Sequence, residues 1–233
     1  MGTEATKLAV IITGATGMVG EGVLFECLQH PAIERVLMVN RKPYGAKHPP
    51  PVRATHPKLI ECIVSDFLDL DGLDAQLSGY DACFYCAGVS SSGMSESEYS
   101  RITYDITIHF AGKLASLNPQ MIFDYVSGAF TDSSENGRLM WARVKGKTEN
   151  ALMRSGFRRV YNFRPGFMRP TPGQQNIKWY YKLIGSLYPL LRALIPNQVS
   201  TLSEVGLAMI NSVLNGYPKQ VLEIEDIKLL AKN

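Results

Sequence analysis

Two hydrophobic periods alternate along the chain. Short apolar, largely β-branched runs recur at 8–12 (LAVII), 33–40 (IERVLMVN), 58–65, 81–87, 121–126 and 157–163. Runs of this length and composition read as strands buried on both faces. Between them, at 18–28, 70–77, 98–117 and 137–154, apolar residues return every three or four positions, as on helices with one face against a core. Strand and helix keep alternating, which predicts an α/β fold: a doubly wound, mostly parallel sheet with helices on both faces. Residues 43–57, with five prolines, and 89–97 read as loops.

After residue 168 the pattern loosens. An aromatic-rich helical stretch at 177–194 (Trp179, Tyr180, Tyr181, Tyr188) is broken by Pro189. A regular helix follows at 203–214 with Ser203 as its cap, then a last short strand at 221–224 and a turn of helix at 226–231. The expectation is one domain over 1–233, with a core at about 1–168 and a small C-terminal lid, 169–233, that covers a substrate.

The first strand breaks at Thr13-Gly14, and Gly14, Gly17 and Gly20 follow at a spacing of three before the first helix settles. A strand-to-helix turn of this kind gathers backbone N–H groups and the positive end of a helix dipole, which suits a pyrophosphate. Thr16, Met18 and Val19 share that turn. The second strand ends Asn40-Arg41-Lys42, with no carboxylate to meet a ribose hydroxyl and two cations where a 2′-phosphate would sit. The reading is NADP(H) in preference to NAD(H). Asp66 and Phe67 close the third strand, placed for an adenine edge. Cys86, Ala87 and Gly88 bring small residues to the end of the fourth. Strand ends on the carboxyl side line the ligand crevice, which makes Ser127, after the fifth strand, a catalytic candidate. On the next helix Trp141 and Lys145 lie four apart and share a face.

Composition narrows the picture further. The net charge of +3 is mild and its basic residues are scattered, so no nucleic acid partner is implied. Four cysteines in apolar segments point to reduced, buried thiols and a cytoplasmic location. Cys83 and Cys86 form a CxxC, but three positions along a strand turn side chains to opposite faces, against a redox or metal pair. His48 and His56 stand in a loop without ligand partners, and no metal site is expected. His109 reads as a helix-packing histidine. Lys178, Lys182 and Arg192 interrupt the apolar stretch near 177–196, so no stable membrane insertion is expected. The start of the chain reads as carrying no signal peptide, and residues 1–6 fit the myristoylation pattern only loosely. Gly146-Lys147-Thr148 imitates a Walker A ending, but Trp141 stands where that motif needs glycine.

The residues resemble a known family. Thr13-Gly14-Ala15-Thr16-Gly17-Met18-Val19-Gly20 is similar to the TGxxGxxG of extended and atypical short-chain dehydrogenases. Tyr125-Val126-Ser127 with Val144-Lys145-Gly146-Lys147-Thr148-Glu149 resembles their catalytic segment, and Arg164-Pro165-Gly166 their loop after strand six. The likeness extends to Tat-interacting oxidoreductase-like proteins and to bacterial relatives labelled NAD-dependent epimerase/dehydratase. The resemblance implies a Rossmann-type domain with the three glycines at the pyrophosphate, Arg41 at the 2′-phosphate, and Asp66 and Phe67 at the adenine. It further implies Ser127 at the substrate oxygen, Lys145 at the nicotinamide ribose, and Pro165 and Gly166 beside the cofactor.

One departure stands out. The family's general acid is a tyrosine four residues before the lysine, and here that position is Trp141. An indole N–H donates a hydrogen bond but does not release its proton at useful pH. Tyr125, on the same strand face as Ser127, is the candidate replacement, or else a core aromatic; Tyr104, Tyr180 and Tyr181 have weaker cause. Two functions follow: an NADP(H)-dependent oxidoreductase or epimerase-like enzyme on an unknown small carbonyl or alcohol, or an NADPH-responsive binding protein without turnover. A peripheral membrane role for the basic aromatic stretch is a distant third, and a homodimer stays open.

Overall fold

The structure is a computed structural model that describes residues 7–44, 56–177 and 188–233. His48, Trp179, Tyr180, Tyr181 and Lys182, and the first six residues, lie outside the described residues.

The apolar runs become strands β1 (Leu8–Thr13), β2 (Ile33–Asn40), β3 (Leu59–Ile63), β4 (Ala82–Tyr85), β5 (Ile122–Val126) and β6 (Arg159–Phe163), and β9 (Val221–Leu222) adds a seventh. Every pairing is parallel and the order is β3-β2-β1-β4-β5-β6-β9. The chain thus leaves β1 in one direction and returns on its other side at β4, which opens a crevice at the carboxyl ends of those strands. Val10, Ile11 and Ile12 in β1 and Phe84 in β4 are fully buried, as strands covered on both faces require.

Helices α1 (Met18–Gln29), α7 (Leu202–Asn215) and α8 (Ile224–Leu230) cover one face, packing Val23, Leu24, Val205, Met209 and Ile227 against Val10, Ile12 and Phe84. The other face takes α2 (Asp74–Leu77), α4 (Ile106–Leu117) and α5 (Met140–Leu152), with Leu77, Phe110, Leu114 and Leu152 against Ile11, Cys83, Phe123 and Tyr125. Cys83 and Cys86 fall to opposite faces, as the strand period requires.

Several boundaries differ from the sequence reading for local reasons. The helix expected from 98 starts at α3 (Glu96–Ser100), because Ser95 and Glu98 form a capping box. It runs through a π segment, Arg101–Asp105, into α4, with Ile106 N–H donating to Arg101 O. The helix expected from 137 starts later, because Gly137 N–H donates to Asp132 Oδ2 at 2.6 Å instead. Thr201, not Ser203, caps α7, again in a capping box with Glu204. His109 is exposed on α4 rather than packed; it borders a surface pocket of about 510 Å³ with Asp69, Asp71 and Lys113.

The stretch set apart as a lid divides. Strand β8 (Val199–Thr201) pairs with β7 (Phe167–Arg169), α7 lies on α1, and β9 is an edge of the main sheet. Gly22 and Gly206 let the two helices approach: a methyl at Gly22 would meet Leu202 Cβ at 2.8 Å, and one at Gly206 would meet Glu26 Cγ at 2.7 Å. Much of 199–230 is therefore packed onto the main sheet and α1, as a part built on the same domain. A helical segment, α6, is described over 188–194.

Candidate active site

Two groups of side chains and backbone meet the carboxyl edge of this sheet. The first is the glycine turn. Gly14 has φ +69°, a left-handed value, and a methyl there would lie 2.7 Å from the Ala87 backbone. A methyl on Gly20 would strike the Gly14 carbonyl. Gly17 is the N-cap of α1 and no side chain caps that helix. The turn is thus a cradle of bare backbone at a helix N-terminus. Ala87 N–H donates to Thr13 Oγ1 at 3.3 Å, which fixes the end of β4 against it. Thr16 and Gly88 are exposed, while Met18, Val19 and Cys86 are half-buried.

Beside the cradle, Asn40 ends β2 and is 3% exposed, yet neither its Oδ1 nor its Nδ2 has a partner among the described residues. An orphaned buried amide costs about 1–3 kcal/mol, so among the described residues this position has polar capacity to spare for a ligand. Arg41 and Lys42 follow it, both exposed. Cradle, uncapped helix and orphaned amide together fit a dinucleotide phosphate and ribose. Asp66 and Phe67 follow β3, but Asp66 Oδ1 accepts from its own turn at Leu68 N (2.9 Å) and the Phe67 ring packs on Phe110, with centroids 5.1 Å apart.

The second group gathers where β5 ends against α5. Ser127 is 8% exposed, and its Oγ lies 2.9 Å from Thr131 Oγ1, which donates to Gly128 O at 2.8 Å. With the Thr131 proton on Gly128 O, Ser127 donates to Thr131 in the free protein, and its hydroxyl can rotate to turn that proton to an incoming oxygen. Lys145 Nζ donates to Ser127 O at 3.0 Å and stands 5.5 Å over the Tyr125 ring. Burial lowers the Lys145 ammonium to about 8, against the opposing pull of Glu149. Trp141, one turn earlier, borders Gly128: a methyl built there would be 4.0 Å from the indole ring.

Tyr125 is brought to Lys145 but not into the crevice. It is 1% exposed, its ring 6.0 Å from that of Tyr85, and burial pushes its phenol well above the usual range. That is the core-aromatic reading. Tyr104 sits on the π segment under Lys147, whose Nζ is 4.3 Å from the ring centroid. Pro165 O accepts from Ala129 N at 3.3 Å, and Gly166 is needed where Gln198 O and Ile224 press close. Both therefore brace the Ser127 turn and β8.

Among the buried carboxylates that carry no expectation from the sequence, Glu149 and Glu21 border the two groups. Glu149 is fully buried and takes Arg164 through both oxygens, Nε–Oε1 at 3.0 Å and Nη2–Oε2 at 2.6 Å, while Arg164 also reaches Ser133 Oγ and Glu223. Glu21, also fully buried, accepts the backbone N–H groups of Gln175 (3.1 Å) and Asn176 (3.0 Å), and Gln174 Nε2 donates to Met18 O at 2.7 Å. A loop at 171–177 is thereby tied to the first turn of α1. Spacing offered one signal: Glu149 is one helical turn from Lys145.

Residues 10–121 match the family described as NAD dependent epimerase/dehydratase family. The mitochondrial protein fmp52 of Aspergillus clavatus is 24% identical over 196 residues, 78% of each chain. Protein HTATIP2 of Rattus norvegicus is 25% identical over 160 residues, covering 69% of this chain and 62% of its own. Among solved structures, the Bordetella bronchiseptica enzyme WbmF in complex with NAD+ shares the fold at a TM-score of 0.64 and 15% identity, over 97% of this chain and 78% of that one. The resemblance drawn from the sequence therefore holds: the amino-terminal half, with the glycine turn and the first four strands, is matched by the NAD dependent epimerase/dehydratase family, on a Rossmann-type fold.

Proposed function

We propose that the protein is an NADP(H)-dependent oxidoreductase acting on a small carbonyl compound or its alcohol, with Lys145 in place of a tyrosine as proton donor. The observation that carries this is Lys145 Nζ held at Ser127 O, one turn from Trp141, at the sheet edge it shares with the glycine cradle. The dinucleotide, when bound, supplies hydride chemistry. The chain supplies the rest. The cradle and Asn40 hold phosphate and ribose, Arg41 and Lys42 favour the 2′-phosphate, Ser127 orients the substrate oxygen, and Lys145 Nζ holds the proton. Tyr125, the replacement acid expected from sequence, serves instead as the floor under Lys145. A general acid works best with a pKa near the operating pH, which a lysine lowered to about 8 meets.

The reading includes a reducing compartment, which suits four free thiols; the fungal relatives carry mitochondrial names. No described helix is long and apolar enough to cross a membrane.

The test is a titration with NADPH and, separately, NADH, followed by emission of the two tryptophans, with Trp141→Phe as control. Micromolar quenching by NADPH, much weaker quenching by NADH and loss of signal in the control are expected. No binding of either nucleotide would sink the proposal. A second reading, an NADPH-responsive binding protein without turnover, is favoured by one observation: the ring that borders the Ser127 turn at Gly128 is the indole of Trp141, which has no phenol to give. Tight NADPH binding with no turnover on a broad carbonyl panel would select it.

A further inference from the structure

Phe130 carries two costs at once. Its φ of 65° is left-handed, a conformation that bulky side chains avoid. Its ring is 74% exposed, apolar area left in water. The loop around it is not slack. Ala129 N–H donates to Pro165 O, Thr131 N–H to Gly128 O, and Asp132 Oδ1 accepts from both N and Oγ of Ser134. Asn150 Nδ2 also donates to Ser133 O at 3.0 Å. The conformation is imposed by these bonds, and strain that the surroundings over-determine clusters at functional sites. Its place is telling. Phe130 stands three residues past Ser127 and next to Thr131, whose hydroxyl pairs with that of Ser127. Trp141 borders the same turn at Gly128, and Leu139, 56% exposed, leads into α5. Gly128, Ala129, Phe130 and Thr131 offer no cation to a diphosphate.

We propose that Phe130 is a substrate-positioning residue, whose ring forms the wall for a small carbonyl compound bearing an aryl or similarly flat apolar group, its oxygen at the Ser127 hydroxyl. This rests on reading the Ser127 turn as the substrate end of the crevice.

The test uses the full chain and 4-phenylbutan-2-one as probe, with saturation-transfer NMR giving its Kd in the presence and absence of NADPH. Phe130→Gly should weaken the probe about tenfold and leave the NADPH Kd unchanged. The same variant should melt no lower than the parent, and about 1–3 °C higher, because glycine accepts the left-handed φ. Phe130→Tyr should bind the probe as the parent does. Opposite signs in melting and binding are what a merely structural ring would not give. An unchanged probe Kd in Phe130→Gly, with NADPH still bound, overturns the proposal and leaves the oxidoreductase reading standing. A melting point lower by several degrees overturns it too, since the ring would then be structural. So does a change of oligomeric state without a change in probe binding, since a second copy would then cover the ring. Tighter binding of UDP-glucose than of the ketone overturns the substrate class. Failure of the parent to bind NADPH brings down the oxidoreductase reading instead, and the ketone titration without nucleotide still reads the wall.

Discussion

The two ends of the crevice are built on opposite principles. At the β1–α1 turn the site is made by leaving atoms out: Gly14 and Gly20 exist because a methyl would strike backbone. At the β5–α5 end it is made by charged and polar side chains whose behaviour depends on partners elsewhere in the chain. Lys145 answers to Ser127 and Glu149, Glu149 to Arg164, and Arg164 in turn to Ser133 and Glu223. The first kind of site is fixed by backbone sterics, within the turn and against the end of β4. The second is a network, and one change in it propagates.

The network should break hardest. Arg164→Met leaves Glu149 buried without its partner, a loss of about 3–5 kcal/mol for a site this enclosed. For a domain of this size that lowers the melting temperature by roughly 10 °C or more. The pair Glu149→Met with Arg164→Met should recover most of it, since two apolar side chains leave no charge unpaired. Additive losses in a double-mutant cycle would show that the two act independently, against the contrast drawn above. On the cradle side, Gly14→Ala forces a methyl against Ala87 at a left-handed φ. NADPH affinity should fall by about 100-fold, roughly 3 kcal/mol, with a smaller loss of stability. Normal binding by that variant would mean that the turn is not shaped by its missing atoms.

The same contrast explains what the sequence disclosed. The strands, their mostly parallel arrangement and the glycine cradle are legible, because apolar runs, period and missing side chains are local facts; the order of the strands is not. The SxxE box at Ser95 and Glu98 and the TxxE box at Thr201 and Glu204 are equally local signals. What was not legible depended on distant partners. Glu21 looks like an ordinary acidic residue in a first helical turn until the backbone of Gln175 and Asn176 closes on it. Tyr125 shares a strand parity with Ser127, yet parity does not tell a crevice wall from a core stack, and the rings of Tyr85 and Phe123 decide for the core. Helix α7 reads as a regular helix of the C-terminal lid until Gly22 and Gly206 bring it onto α1.

Lys145 sharpens the comparison through pH. Its proton must be present for it to act as donor, so carbonyl reduction should hold below its pKa of about 8 and fall as pH rises through that value. Lys145→Met should lower the rate about 100-fold, and Trp141→Tyr, which restores a phenol, should raise it and move the pH limb upward. A flat profile from pH 7 to 10 would exclude Lys145 as donor. Stability gives the independent check. The folded pKa is depressed, so the unfolded chain binds more protons between about 8 and the ordinary lysine value of 10.5, and stability from this group rises with pH across that window. At pH 7 the buried ammonium is therefore a cost. Lys145→Met should melt higher than the parent at pH 7, and the difference should shrink above pH 8. The groups that face Lys145 are Tyr125 and Glu149, and Glu149 is held by Arg164.

The smallest effect tests whether the cradle side is as free of side-chain dependence as it looks. Asn40 is its exception: a buried amide with both polar atoms unpaired among the described residues. Asn40→Leu keeps the volume close and removes the two orphans, so the protein without nucleotide should gain about 1 kcal/mol, a rise of a few degrees in melting temperature. NADPH affinity should move the other way and fall about tenfold, because the ribose then meets a methyl where it had an amide. Opposite signs would mean that Asn40 is held unsatisfied in the free protein for the sake of the ligand. Lower stability with unchanged affinity would mean the amide is paired in solution, and the cradle would then be a site of backbone alone.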